Sequence, residues 1–223
     1  FKPIYTRDRK RQAVPNRLVV ESVTRVINLN IWEEYTLRRE MALYEDGAKG
    51  GRARVVSAFP GRAPLTAGWV ASEAAAAGLD FALRDDVNEA MVFHGTSSAA
   101  AEAITREDFK LNLSGTNAGT LFGRGIYLAE CVSKSDEYTE EEAGVRTILV
   151  CRATLGRVLY TDAQRPRVGD LEQRCGYKQA PGKGQYDSVL GDREKCSGTY
   201  REFIVYDDNF VYPEFIVKYR YKN

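Results

Sequence analysis

From residue 90 to the end of the chain, short segments rich in β-branched and aromatic residues cluster together without a helix after each one. A doubly wound parallel sheet alternates strand and helix throughout, so this clustering predicts an α+β domain instead. The segments cover residues 90–94, 125–129, 147–160 with a break near Gly156, 201–207 and 214–221. The last alternates most cleanly, with Phe215, Val217, Tyr219 and Tyr221 on one face and Ile216, Lys218 and Arg220 on the other. Residues 98–106 and 131–138 are the candidate helices among them.

The first half is less regular. Residues 18–27 read as a strand, and Asn30 as the cap of a helix over 31–44, with Glu33 completing a capping box. Trp32 and Tyr35 on one side of that helix, and Leu37, Met41 and Tyr44 on a neighbouring one, are expected to anchor it. Residues 47–68 read as a long loop, and the alanine-rich 71–77 as a packing helix. The stretch 161–200 reads as irregular, relieved only by 186–190. Residues 1–16 form a lead-in broken by Pro3 and Pro15, with Arg7, Arg9, Lys10 and Arg11 as a solvated arm, and 17–223 form one domain. The initial Phe1 points to a piece of a longer protein.

Composition excludes several function classes. With 32 basic against 31 acidic side chains the net charge is +1, which argues against a dedicated nucleic-acid surface. No apolar run has the length of a membrane span, and no secretory signal segment opens the chain. The four cysteines contain no Cys-x-x-Cys pair and His94 is the single histidine, so no zinc site is expected and a reducing, intracellular setting (nucleus or cytoplasm) fits best. Walker A, nucleophile-elbow and His-Glu-x-x-His motifs are missing. Gly123-Arg124-Gly125 begins like a dinucleotide fingerprint, but Leu128 stands at the third glycine position, so a Rossmann reading falls.

What remains is a set of polar groups at the ends of apolar strands. His94 ends Met91-Val92-Phe93 and precedes Gly95-Thr96, where a glycine lets a ligand approach the backbone. Glu202 opens the apolar Phe203-Ile204-Val205-Tyr206, a costly place for an unpaired carboxylate. If the two strands are antiparallel neighbours, the end of one meets the start of the other and both groups face one rim. Tyr127 closes Gly125-Ile126-Tyr127; Ser135 and Tyr138 share a helix face, with Lys134 four residues before Tyr138. A hydroxyl beside an aromatic plane suits a flat, amide-bearing ring. Each residue also has a plain structural reading: a core histidine, an ion-paired strand-end glutamate, a core tyrosine, a solvated Ser-Lys-Ser.

Together these words resemble the catalytic domain of the poly(ADP-ribose) polymerase family, the diphtheria-toxin-like ADP-ribosyltransferases. The matching words are Phe93-His94-Gly95-Thr96, Phe122-Gly123-Arg124-Gly125-Ile126-Tyr127-Leu128-Ala129, Ser133-Lys134-Ser135-Asp136-Glu137-Tyr138 and Glu202-Phe203-Ile204-Val205-Tyr206, in the family's order. Cys151-Arg152-Ala153-Thr154-Leu155-Gly156 and Val211-Tyr212-Pro213-Glu214-Phe215-Ile216 look like the tankyrase branch. The resemblance implies two packed, mostly antiparallel β-sheets with short flanking helices and an NAD cleft. It implies NAD+ as donor, a protein (the chain itself included) as acceptor, and chain elongation to poly(ADP-ribose), with single-unit transfer and a silent NAD-binding module as alternatives.

The resemblance also implies residue roles. His94 binds the adenosine-side ribose, Gly95 and Ser135 hold the nicotinamide amide, and Tyr127 and Tyr138 sandwich its ring. Thr96 assists near the ribose, Lys134 gives support, and Glu202 takes the hydrogen bond from the 2′-hydroxyl of the nicotinamide ribose. Residues 113–121 and part of 180–192 become the donor and acceptor loops. Two departures matter: the tankyrase zinc insertion is missing, so no metal is expected, and Tyr200 stands where arginine-directed transferases place a second glutamate.

Overall fold

The computed structural model describes residues 15–43, 59–78, 82–111, 120–176 and 184–222. The lead-in at 1–14, its basic arm and most of the expected donor loop lie outside these residues. In chain order the elements are β1 (Arg17–Arg25), α1 (Leu29–Met41), α2 (Leu65–Ala76), β2 (Glu89–Gly95), α3 (Ser98–Glu107), β3 (Ile126–Ala129), α4 (Val132–Asp136) and β4 (Glu141–Glu142). They continue with β5 (Val145–Thr154), β6 (Val158–Thr161), α5 (Val168–Arg174), β7 (Ser188–Gly191), α6 (Arg193–Ser197), β8 (Glu202–Val205) and β9 (Val211–Lys222).

The strands hydrogen-bond in the order β1-β9-β5-β2-β3-β8-β7-β6, with β4 set off against β5. Every pairing is antiparallel except β6 with β7. The α+β expectation holds, and the two expected sheets are the halves of one continuous sheet. Their join is narrow: β2 and β3 share the single register pair Phe93 and Ala129, whereas β2 runs beside β5 over seven pairs from Glu89–Thr154 to Gly95–Ile148. Apolar side chains from both halves, including Val92, Leu149, Leu128, Phe203 and Leu190, meet in one core with Ala101 of α3 and Phe109. The break near Gly156 is real, and the backbone there turns through φ +54 between β5 and β6.

Several sequence expectations need correction. Asn28, not Asn30, caps α1: its Oδ1 accepts from Ile31 N at 3.3 Å, and its Nδ2 donates to the Thr105 and Arg106 carbonyls at 3.1 and 3.2 Å. The second function ties α1 to the end of α3, a contact no local motif encodes. Trp32 and Tyr35 do anchor the helix against Tyr212, the first edge-on and the second tilted, but Leu37 and Met41 face solvent at 62% and 44% exposure, and Tyr44 lies outside the described residues. Helix α2 starts at Leu65, inside the expected loop, and packs through Thr66 and Val70 while most of its alanines stay exposed. The stretch 161–200 contains α5, β7 and α6 rather than loop alone.

Replacing Asn28 by alanine is expected to lower stability by about 1 kcal/mol or more, the ordinary loss of a cap plus two tertiary hydrogen bonds. Asn30→Ala should stay within about 0.5 kcal/mol. Urea unfolding midpoints of the two variants check this, and a larger loss in Asn30→Ala would restore the original capping assignment.

Candidate active site

Strands β2 and β8 are not neighbours. Strand β3 lies between them, antiparallel to each, so β2 and β8 run parallel. The expected geometry, in which an antiparallel pair brings His94 to Glu202, is therefore replaced by another. Ala129 pairs with Phe93 on one side and with Glu202 on the other. One row across three strands thus sets Glu202 level with the residue that precedes His94, with Ala129 between them.

A cleft of about 700 Å³ opens at this rim. It is lined by His94, Gly95, Thr96, Tyr127, Lys134, Ser135, Tyr138 and Glu202, that is, by every residue singled out from the sequence. Helix α3, capped by Ser97 through the Ala100 amide, gives a second wall with Ala100, Ala103 and Ile104.

His94 Nδ1 lies 2.9 Å from the Tyr127 carbonyl. A carbonyl oxygen only accepts, so Nδ1 carries the proton and Nε2 presents a lone pair. Burial holds the imidazole below its ordinary range, partly offset by that hydrogen bond, so the ring is neutral at pH 7. The Phe109 ring meets it edge-on at 5.1 Å. Tyr127 is fixed at its far end, where its hydroxyl accepts from Phe122 N and donates to the Gly123 carbonyl, both at 2.9 Å.

Gly95 serves the protein before any ligand. A Cβ there would overlap the Ser135 carbonyl oxygen, so only glycine lets α4 dock on the end of β2. Ser135 Oγ seals the contact by donating to the Phe93 carbonyl at 2.9 Å. Behind α4, Asp136 accepts from the Tyr219 hydroxyl and, at 2.9 and 3.0 Å, from that of Tyr221. Ser133, Lys134 and Ser135 are consequently buried, not the solvated surface a Ser-Lys-Ser run usually forms. Tyr138 follows in the next turn with its ring 42% exposed at the cleft.

Glu202 is 5% exposed. Lys134 Nζ stands 3.4 Å from its Oε1, 3.2 Å from Glu137 Oε2 and 3.4 Å from the Tyr138 hydroxyl. Sequence reasoning missed the network that anchors the start of β8. Arg201 grips Glu130 in a two-pronged pair at 2.8 and 2.7 Å, and Arg62 and the Leu65 amide also donate to Glu130. Burial alone would raise the Glu130 carboxyl, but the bonds from Arg201 and Arg62 bring it below its ordinary range. The flanking position of Arg201 was the only sequence signal for this clamp.

A second missed residue is Asp108, on the cleft wall after α3. It adopts φ 72, ψ 170, a region essentially reserved for glycine, and its Oδ1 accepts from Phe109 N at 2.7 Å. Burial, with Asp208, Glu34 and Asp207 nearby, pushes its carboxyl up to about 7. Among the described residues no group of three or more His, Cys, Asp or Glu side chains is placed to hold a metal, and no helix is long and apolar enough to cross a membrane.

A family model described as the poly(ADP-ribose) polymerase catalytic domain matches residues 5–221. Protein mono-ADP-ribosyltransferase PARP12 of Homo sapiens is 24% identical over 200 residues, covering 90% of this chain and 22% of that protein. Poly [ADP-ribose] polymerase tankyrase of Caenorhabditis elegans is 28% identical over 163 residues, or 61% of this chain and 7% of the relative. Protein mono-ADP-ribosyltransferase PARP11 of Mus musculus is 27% identical over 142 residues, or 60% and 43%. The chain thus spans less than half the length of these relatives.

Asp108 gives a pH prediction. An aspartate ionises near 3.9 in the unfolded chain but near 7 in the fold, so the folded state is progressively penalised as pH rises between those values. Asp108→Asn should therefore gain stability over the wild type between about pH 4 and 7 and hold that gain above. Asp108→Gly should add a pH-independent gain on the order of 1 kcal/mol by relieving the backbone. Denaturant melts at several pH values check both; a difference that ignores pH would remove the buried-acid assignment.

Proposed function

The chain belongs to the poly(ADP-ribose) polymerase catalytic-domain family, and on that premise we propose that it cleaves NAD+ and transfers ADP-ribose to a protein acceptor. The observation that carries the reading is the convergence of His94, Tyr127 and Glu202 on one cleft with Ser135 and Tyr138. In this reading Tyr127 and Tyr138 take the nicotinamide ring between them. The Gly95 backbone and the Ser135 hydroxyl hold its amide. His94 Nε2, left as an acceptor, takes a hydroxyl of the adenosine-side ribose, with Thr96 close by.

As the glycosidic bond breaks, nicotinamide leaves with the bonding electrons and positive charge grows at the ribose carbon. Glu202 accepts the hydrogen bond of the neighbouring 2′-hydroxyl and stabilises that charge, as carboxylates do in glycosidases. Around a carboxylate only 5% exposed, preorganised charge acts with little screening. The acceptor then forms the new bond to that carbon and gives up its proton to water. Lys134 supports the arrangement by holding Glu202 in place.

Elongation to poly(ADP-ribose) is the form that Glu202 favours, because a carboxylate at this rim can also orient a ribose hydroxyl as acceptor. Transfer of a single unit is the second reading, favoured by two of these relatives being mono-ADP-ribosyltransferases. The four free thiols suit a reducing, intracellular setting.

Glu202→Gln should cut nicotinamide release on the order of a hundredfold or more while NAD+ still raises the melting temperature. Release within a few-fold of the wild type would remove Glu202 from the chemistry, and a wild type that binds NAD+ without releasing nicotinamide would make this a silent module. On a gel of the self-modified protein, a ladder supports elongation and a single band supports one-unit transfer. Tyr138→Ala should weaken benzamide-like ligands by about 1–3 kcal/mol, the scale of an aromatic stacking loss; unchanged affinity places the ring elsewhere.

A further inference from the structure

The two carboxylate oxygens of Glu202 meet different cations from different elements. Lys134 of α4 approaches Oε1, as described above. Arg193, the first residue of α6, stands 3.6 Å from Oε2 through Nη1, with its side chain only 15% exposed. No motif of the family words includes it.

The backbone fixes where Arg193 stands. Gly191 is the register partner of Glu202 in the β7–β8 ladder, so Arg193 leaves the sheet two residues beyond that pair. Asp192, between them, donates its amide to the Thr161 carbonyl at 2.8 Å. Its carboxylate accepts from the Tyr160 hydroxyl at 2.8 Å and caps α6 through the Lys195 amide at 3.4 Å. The guanidinium is thus delivered from a strand end held on both sides.

A glutamate held at one oxygen still pivots about that contact, because its terminal torsion is broad and nearly two-fold. A second cation on the other oxygen removes the pivot. Arginine suits this task, being always charged and planar. We propose that Arg193 is a positioning residue for Glu202: paired with the second carboxylate oxygen, it sets the rotation of the carboxylate that faces the donor ribose. This rests on the reading of Glu202 in the preceding subsection. A group that only aims the carboxylate acts in the transition state, so its loss falls on kcat and spares KM.

The test measures nicotinamide release against NAD+ concentration for Arg193→Gln and Arg193→Lys, each alone and combined with Glu202→Gln, with melting curves to verify folding. Arg193→Gln is expected to lower kcat roughly tenfold with KM within about twofold, and Arg193→Lys to recover part of the loss, a size typical of coupling inside one ion-pair network. Added to Glu202→Gln, it should change the rate by less than about twofold, since there is no longer a charged carboxylate to aim. Should Arg193→Gln not fold, Arg193→Lys carries the same comparison, keeping the charge without the planar fork. An equal loss in both backgrounds, or a loss carried by KM, overturns the proposal. A wild type that releases no nicotinamide overturns the underlying reading as well, whereas an active wild type with an unmoved kcat in the arginine variants overturns only the role of Arg193.

Discussion

Glu202 holds a carboxylate at the first residue of a strand whose four residues are all buried. Removing such a charge from water costs several kcal/mol unless cations and hydrogen bonds replace the lost hydration. Much of the surrounding structure answers that demand. Lys134 must reach the carboxylate, so α4 must dock against β2, which requires a glycine at position 95 and the Ser135 bond to the Phe93 carbonyl. The strand must begin at a fixed point, which the Arg201–Glu130 clamp secures one residue earlier. Buried ion pairs of this kind add little net stability against an apolar alternative. What they provide here is placement.

The same logic explains why the cleft lies where it does. Strand β2 is paired along its whole length with β5 but touches β3 at one pair only. Beyond that join β2 and β3 share no further register pair, and residues of α3 and α4 complete the cleft walls. His94 links the two strands there through its hydrogen bond to the Tyr127 carbonyl, which leaves its second nitrogen with a defined lone pair. The imidazole is therefore both a cross-link between the halves and an oriented acceptor. A structural role for it leaves the proposed ligand contact open to the same ring.

Legibility from sequence followed the range of the interactions. Strands β2, β3 and β8 are apolar runs and β9 alternates along its second half, patterns carried by their own residues, and all four emerged within a few positions of their true bounds. Strand β7 is four residues long, Ser188–Gly191, and is buried because β6 and β8 flank it, a fact absent from its own composition. Asn28 and Asn30 are equally good caps locally, and carbonyls 77 and 78 residues away decide between them. The Ser-Lys-Ser run looks solvated in isolation and is buried only because Gly95 admits it. For the cleft, the motif words located the lining, but not the order of the strands that assemble it. Asp108 and Arg193 carried no local signal, since one is unusual only in its backbone and the other only in what it faces.

The arrangement around Glu202 bears on how the carboxylate would act. Cations of two different elements lie at its two oxygens, and Lys134 is shared with Glu137. A carboxylate met at both oxygens is held in one orientation, which is what the proposed role opposite a sugar cation would require. That fixed placement is the property the proposed charge stabilisation draws on.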